Sequence, residues 1–218
     1  MTMRSGVAIA CAIAAAGVIP VRAQDSHAES ATYEDMTLAR VRPGARAYFY
    51  RDDVDGCPAV SSRCRRRAYV VAGDVVLIGI AKDGLIKAAY TDGSGRPTEG
   101  WLSRTLLQPI PTPPASPAAW RGDWNYDEAD IEITAGTRPG RIRAKGTALW
   151  GTHDPERARR GGIHDGAFAG EATVTGDRAI FSDERCRVSV RLIGPYLVAD
   201  DNLQCGGVNV SFSGVYRR

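Results

Sequence analysis

Two histidine–aspartate pairs, His153-Asp154 and His164-Asp165, flank a segment that holds Arg157, Arg159, Arg160 and Gly161-Gly162. If that segment closes a hairpin, the pairs approach each other. Imidazole beside carboxylate is the chemistry of a metal site or of general acid–base transfer. Neighbouring residues on a strand point to opposite faces, however, and no third protein ligand is evident. The segment therefore reads as a polar loop that can plug a cleft or hold an ion, and not as a catalytic set. Asp123, Asp127, Glu128, Asp130 and Glu132 contain carboxylate pairs of the kind glycoside chemistry needs. They lie close together in sequence, with two on the polar face of one alternating stretch, which is the pattern of a solvated acidic surface. No Gly-x-Ser-x-Gly elbow occurs, and no phosphate-binding glycine loop opens a helix. No catalytic residue, resident metal or cofactor is expected, and the chain reads as a binding protein and not an enzyme.

Binding residues are easier to nominate. Tyr48, Tyr50, Tyr69, Tyr90 and Trp101 can line a groove for a peptide or glycan, although a small β domain must spend several of them on its core. Arg63, Arg65, Arg66 and Arg67 close the long loop Arg51 to Arg67 and form a basic cluster able to meet an anionic glycan or phosphate. In the same loop Asp53-Val54-Asp55-Gly56 has the start of a calcium loop without the Glu that would complete it.

The compartment follows from the N-terminus and the cysteines. Residues 1–23 have the form of a secretory signal: Arg4, an apolar run from Val7 to Ile19, and Val21-Arg22-Ala23 as a cleavage site. Cys11 leaves with it. The four remaining cysteines, Cys57, Cys64, Cys186 and Cys205, suit disulfides in an oxidising compartment. Three pairings are open; Cys57–Cys64 with Cys186–Cys205 keeps each bridge inside one half and is favoured. Formal net charge is +3, and the signal's Arg4 and Arg22 account for most of it. That balance, with export, argues against nucleic acid as a partner. No later stretch is apolar for long enough to span a membrane. Periplasmic or secreted placement is expected.

The elements that must position these residues are strands. Residues 24–35 are polar and aperiodic, a disordered leader that includes His27. Met36 to Val41, Ala47 to Tyr50, Val75 to Ile80, Leu85 to Tyr90 and Gly100-Trp101-Leu102 read as strands, with Asp83-Gly84 as a tight hairpin turn. Gln108 to Ala119 carries five prolines and marks a linker at 111–119; as polyproline it would hold two domains up to roughly 35 Å apart. Beyond it, residues 120–218 alternate at strand period: Asp130 to Thr134, Arg141 to Trp150, Asp165 to Thr175, Arg178 to Ser182, Val188 to Leu192 and Val208 to Ser213. Such alternation predicts antiparallel strands with one wet face, in a barrel or sandwich.

Gly73-Asp74, the following apolar strand, and Thr98-Glu99-Gly100-Trp101-Leu102 make residues 36–110 resemble a bacterial SH3-like domain. Leu85 stands where many members carry an aromatic residue. The C-terminal half is similar to small secreted calycin-like β-barrels. The shared features are Gly122-Asp123-Trp124, Cys186, Tyr196-Leu197-Val198, Cys205-Gly206-Gly207 and the tail through Tyr216. The resemblance implies an all-β protein of two domains. It also implies an envelope function: binding of peptidoglycan or of a wall-acting protein, or else inhibition of a lysozyme-like hydrolase, with a His153/His164 metal-dependent hydrolase as a further alternative.

Overall fold

A computed structural model describes residues 36–92, 96–112 and 115–218. The expected signal at 1–23, with Cys11, and the leader at 24–35, with His27, lie outside the described residues. The protein is all-β and is built on two antiparallel sheets.

The first sheet has seven strands: β1 Thr37–Val41, β2 Arg46–Tyr50, β3 Arg65–Val71, β4 Val75–Lys82, β5 Leu85–Thr91, β6 Pro97–Ser103 and β7 Leu107–Ile110. Their order is β3-β2-β6-β5-β4-β1-β7. Asp83 and Gly84, at φ 49° and 78°, make the turn between β4 and β5, where Lys82 pairs with Leu85. A two-residue hairpin needs that left-handed backbone, which explains Asp-Gly at this point. Arg65 to Arg67 open β3 and are not loop residues. The loop before them is tied off by the disulfide Cys57–Cys64.

The second sheet has eight strands: β8 Gly122–Tyr126, β9 Ala129–Ala135, β10 Arg141–Trp150, β11 His164–Thr173, β12 Arg178–Asp183, β13 Cys186–Ile193, β14 Tyr196–Asp201 and β15 Gly214–Arg217. Each strand pairs with its neighbour in sequence except β11 with β12, and the last strand returns to the first through Arg217 and Asn125. The result is nearly a closed barrel. Its remaining seam, β11 to β12, is bridged where the Ala169 N–H donates to Asp183 Oδ2 at 3.1 Å. The inward face of β10 reads Ile142, Ala144, Gly146, Ala148, as its alternation predicts. A Cβ on Gly146 would stand 2.3 Å from Phe168 and 2.8 Å from Phe212, so the packed rings leave room for glycine alone. Trp124, Phe168, Phe181, Phe212 and Tyr216 fill the interior. The second disulfide joins Cys186 to Cys205, so both bridges follow the pairing favoured on locality.

One strand reading needs correction. Val208 to Ser213 alternates like a strand but is a loop: Asn209 sits at φ 68° and Val208 is exposed. The buried carboxylate of Asp201 accepts from Phe212 N at 3.0 Å and from Ser211 Oγ at 3.0 Å. The first of these bonds takes up a backbone N–H that a ladder would otherwise use.

The two halves are not held apart. Gln108 and Pro109 lie in β7, an edge strand that tolerates a missing N–H. Pro117–Trp120 form a 3-10 turn capped by Ser116. Between the sheets, Leu38, Leu77 and Ala89 pack in one buried cluster with Ile193, Tyr196, Val198 and Val215. This explains the unbroken apolar run in β4. Val76 and Ile78 face the first sheet's own core while Leu77 faces the other half. Polar groups seal the join. Tyr196 donates its hydroxyl to Val75 O at 2.7 Å, and buried Thr91 donates to Val215 O at 3.2 Å. Burial pushes the Tyr196 hydroxyl up to about 12.

Candidate functional site

Four connections open at one end of the barrel: the β8–β9 turn, the β10–β11 loop, the β12–β13 turn and the β14–β15 loop. Each candidate histidine finds a separate partner there. His153 Nε2 lies 2.8 Å from Asp127 Oδ1, and both side chains are largely exposed. His164 Nδ1 lies 2.6 Å from Val208 O, and its ring packs 5.2 Å from Trp150. The guanidinium of Arg157 covers the Trp150 ring at 4.2 Å. Asp154 caps the single-turn helix α1, Pro155–Arg159, by accepting from Glu156 N and Arg157 N at 2.9 and 3.1 Å. Asp165 is exposed beside His164, and its backbone oxygen takes the Gly207 N–H at 3.0 Å.

His153 therefore joins acidic residues nominated for a different reason. Asp127, Glu128 and His153 each offer a ligand atom, all within 4.8 Å of one another. Their hydrogen bonds are already committed. Asp127 holds His153, and Glu128 accepts from Gly151 N, Thr152 N and the Thr152 hydroxyl. Partial burial works against the Glu128 charge, but the donors at Thr152 and Gly151 outweigh it and hold the carboxyl below its ordinary range. The cluster acts as a strap between the β8–β9 turn and the start of the β10–β11 loop.

The strap titrates in a defined direction. The hydrogen bond and the charge of Asp127, then the charge of Glu128, raise the His153 pKa above its ordinary 6.5. A raised folded pKa means the bond's contribution is complete below pH 6.5 and is lost as pH rises through the higher folded value. NMR titration of the His153 ring should give a midpoint above 6.5 that falls in Asp127→Asn. An unchanged midpoint in that variant would contradict the strap.

The disulfide Cys186–Cys205 borders a cleft of about 820 Å³ at this end, lined in part by Asp183, Arg185, Leu203 and Val208. Leu203 and Val208 are 64% and 70% exposed, large apolar side chains at the tip of a barrel.

The aromatic candidates separate into two groups. Trp101 is 5% exposed; its indole N–H donates to Asp52 Oδ2 at 2.8 Å, and Lys87 Nζ closes over the same oxygen at 2.9 Å. The Trp101 hydrogen bond, then Lys87, holds Asp52 below the usual carboxylate range. Tyr90 is partly buried against the first core, and burial raises its pKa. Tyr50 is half-buried opposite Arg65 and Trp101. Tyr69 is exposed, and Tyr48, like Tyr50, is half-buried. Tyr48 and Tyr69 pair across β2 and β3 with ring centroids 5.5 Å apart, edge to face. Arg46 lies 4.5 Å over Tyr69 and Arg65 lies 4.9 Å over Tyr48. Guanidinium and phenol thus alternate along one outer face. Arg46 was not a candidate from sequence; its place two residues from Tyr48, on the same face of a strand, was the available signal.

Comparison with family models, with curated proteins and with solved structures finds no match to this chain.

Proposed function

We propose that the chain is an exported, non-enzymatic protein of the bacterial cell envelope that binds peptidoglycan through the outer face of β2 and β3. In this reading the first half is an SH3-like wall-binding unit and the second a calycin-like barrel that braces it. The observation that carries it is the Tyr48–Tyr69 pair, with Tyr69 exposed, stacked with Arg46 and Arg65. A phenol stacked with a guanidinium offers a sugar a mixed apolar and hydrogen-bonding surface, and guanidinium forks match the carboxylates of a wall peptide. Two disulfides and the expected signal agree with placement outside the cytosol. Among the described residues, no helix is long and apolar enough to cross a membrane.

The test is co-sedimentation with purified murein sacculi. The protein should pellet with the wall, and the Tyr48→Ala/Tyr69→Ala variant should bind about tenfold more weakly, roughly 1.4 kcal/mol. Circular dichroism should show that this variant keeps its fold, because both side chains lie outside the core. A protein that stays in the supernatant, or a variant that pellets equally well, would remove the reading.

A second reading rests on Leu203 and Val208. Apolar side chains at the tip of a loop suit the cleft of a partner protein. The barrel would then inhibit a lysozyme-like hydrolase with this end, including the loop at 151–163. Titrating the full chain against muramidases separates the two: wall binding predicts no loss of activity on a soluble substrate.

A further inference from the structure

The open face of β2 and β3 continues into a groove of about 810 Å³ where the first sheet meets the second. Arg51, Arg65, Arg66 and Arg67 line it from one side, with Glu99 on β6 and Tyr126 on β8 across from them. Its volume falls in the range of small-ligand sites.

The charges in this groove are unbalanced. Glu99 is its single acidic side chain and accepts the Tyr126 hydroxyl at 3.5 Å. Arg66 is steered by its bond to the Glu99 backbone oxygen at 2.7 Å. Arg51 Nε is buried without a hydrogen-bond partner, and the Asp53 carboxylate stands 4.0 Å away. Among the described residues no carboxylate forms an ion pair with Arg65, Arg66 or Arg67. Arg65, Arg66 and Arg67 thus bring positive charge to the groove with no carboxylate paired to it, and an anion placed there gains from that charge.

We infer that this groove is a binding site for the anionic groups, phosphate or carboxylate, carried on a glycan strand. Both anions match the planar two-pronged donor pattern of arginine. Arg65 belongs to both surfaces, since its guanidinium lies over Tyr48 while it lines the groove. A sugar on the Tyr48–Tyr69 face therefore places its charged substituent toward the arginines. The inference rests on the wall-binding reading for the sugar contact and adds the charge that the site selects. Tyr126 comes from the second sheet, so the site is complete only when both halves are in place.

The experiment is calorimetric titration of the full chain with three oligosaccharides of equal length: neutral, phosphorylated and uronate-containing. At low salt at least one anionic probe should bind about tenfold or more tightly than the neutral one, with the advantage shrinking as salt is raised. The two anionic arms show whether phosphate or carboxylate is preferred. In Arg51→Gln/Arg67→Gln, which keeps Arg65 and Arg66, the advantage of the anionic probes should shrink severalfold. Neutral binding should not change, because neither side chain belongs to the Tyr48–Tyr69 pair, and circular dichroism should show that the variant is folded. Equal affinity for all three probes, or a preference undiminished in the double variant, overturns the groove and leaves the wall-binding reading intact. Absence of binding to every probe overturns both.

Discussion

Replacing Trp124 by alanine is expected to lower the unfolding free energy by about 3–5 kcal/mol, the range for removing a large ring from a packed core. Three features put it there. The side chain is fully buried in the barrel core. Its indole N–H donates to Trp120 O at 3.0 Å, so truncation also strands a buried carbonyl. The Arg218 guanidinium covers the ring at 4.5 Å and donates to Arg121 O at 3.0 Å, tying the last residue to the segment that enters β8. The single pair that returns β15 to β8 lies beside this arrangement. Urea unfolding followed by circular dichroism measures the loss. A cost below about 1 kcal/mol would mean that the barrel core is not organised around this ring.

Leu77→Ala is expected to cost about 2–5 kcal/mol for a reason that concerns the whole molecule. Leu77 is fully buried, yet it does not belong to the core of its own sheet; it packs with Leu38, Tyr196, Val198 and Val215 between the halves. If the halves were independent domains on a proline spacer, this side chain would face water. Its truncation would then change stability by no more than about 0.5 kcal/mol. Urea unfolding of the variant therefore separates a fused pair of sheets from a tethered pair. The fused pair should also unfold in one transition, with tryptophan fluorescence and circular dichroism coincident.

The local parts of this fold were legible because their causes are local. Asp83-Gly84 announces a left-handed turn, and Arg141 to Trp150 shows its inward face residue by residue. The cysteine pairing followed from keeping each bridge inside one half. What escaped depends on elements far apart in sequence. The run Val75 to Ile80 read as a buried strand, which holds for Val76 to Ile78 while Ile80 is exposed, but nothing in it named Tyr196 and Val198 as the cover. Asp127 and His153 meet only because β9 and β10 pair antiparallel with Ala129 opposite Ala148, so His153 was set beside His164 on sequence proximity alone. Val208 to Ser213 misled because period-two alternation describes side-chain facing; it does not say whether the backbone finds a neighbour, and here the Asp201 side chain takes the Phe212 N–H. The proline segment misled in the same way, since its composition gives reach but not the apolar surface at its two ends.

The same division holds at the candidate site. The tyrosines were visible as residue types, but which of them stay open was not. Trp101 is closed by Asp52, from a loop distant in sequence, and by Lys87, whereas Tyr69 stands on the edge strand β3 with Tyr48 beside it on β2.

The most direct test of the wall-binding account is an amide chemical-shift titration of the 15N-labelled full chain with soluble muropeptides. The account predicts saturable shifts concentrated at Arg46, Tyr48, Arg65 and Tyr69, with the barrel tip at 151–163 and 202–209 unmoved. Shifts confined to that tip, or no shifts at saturating ligand, would contradict it.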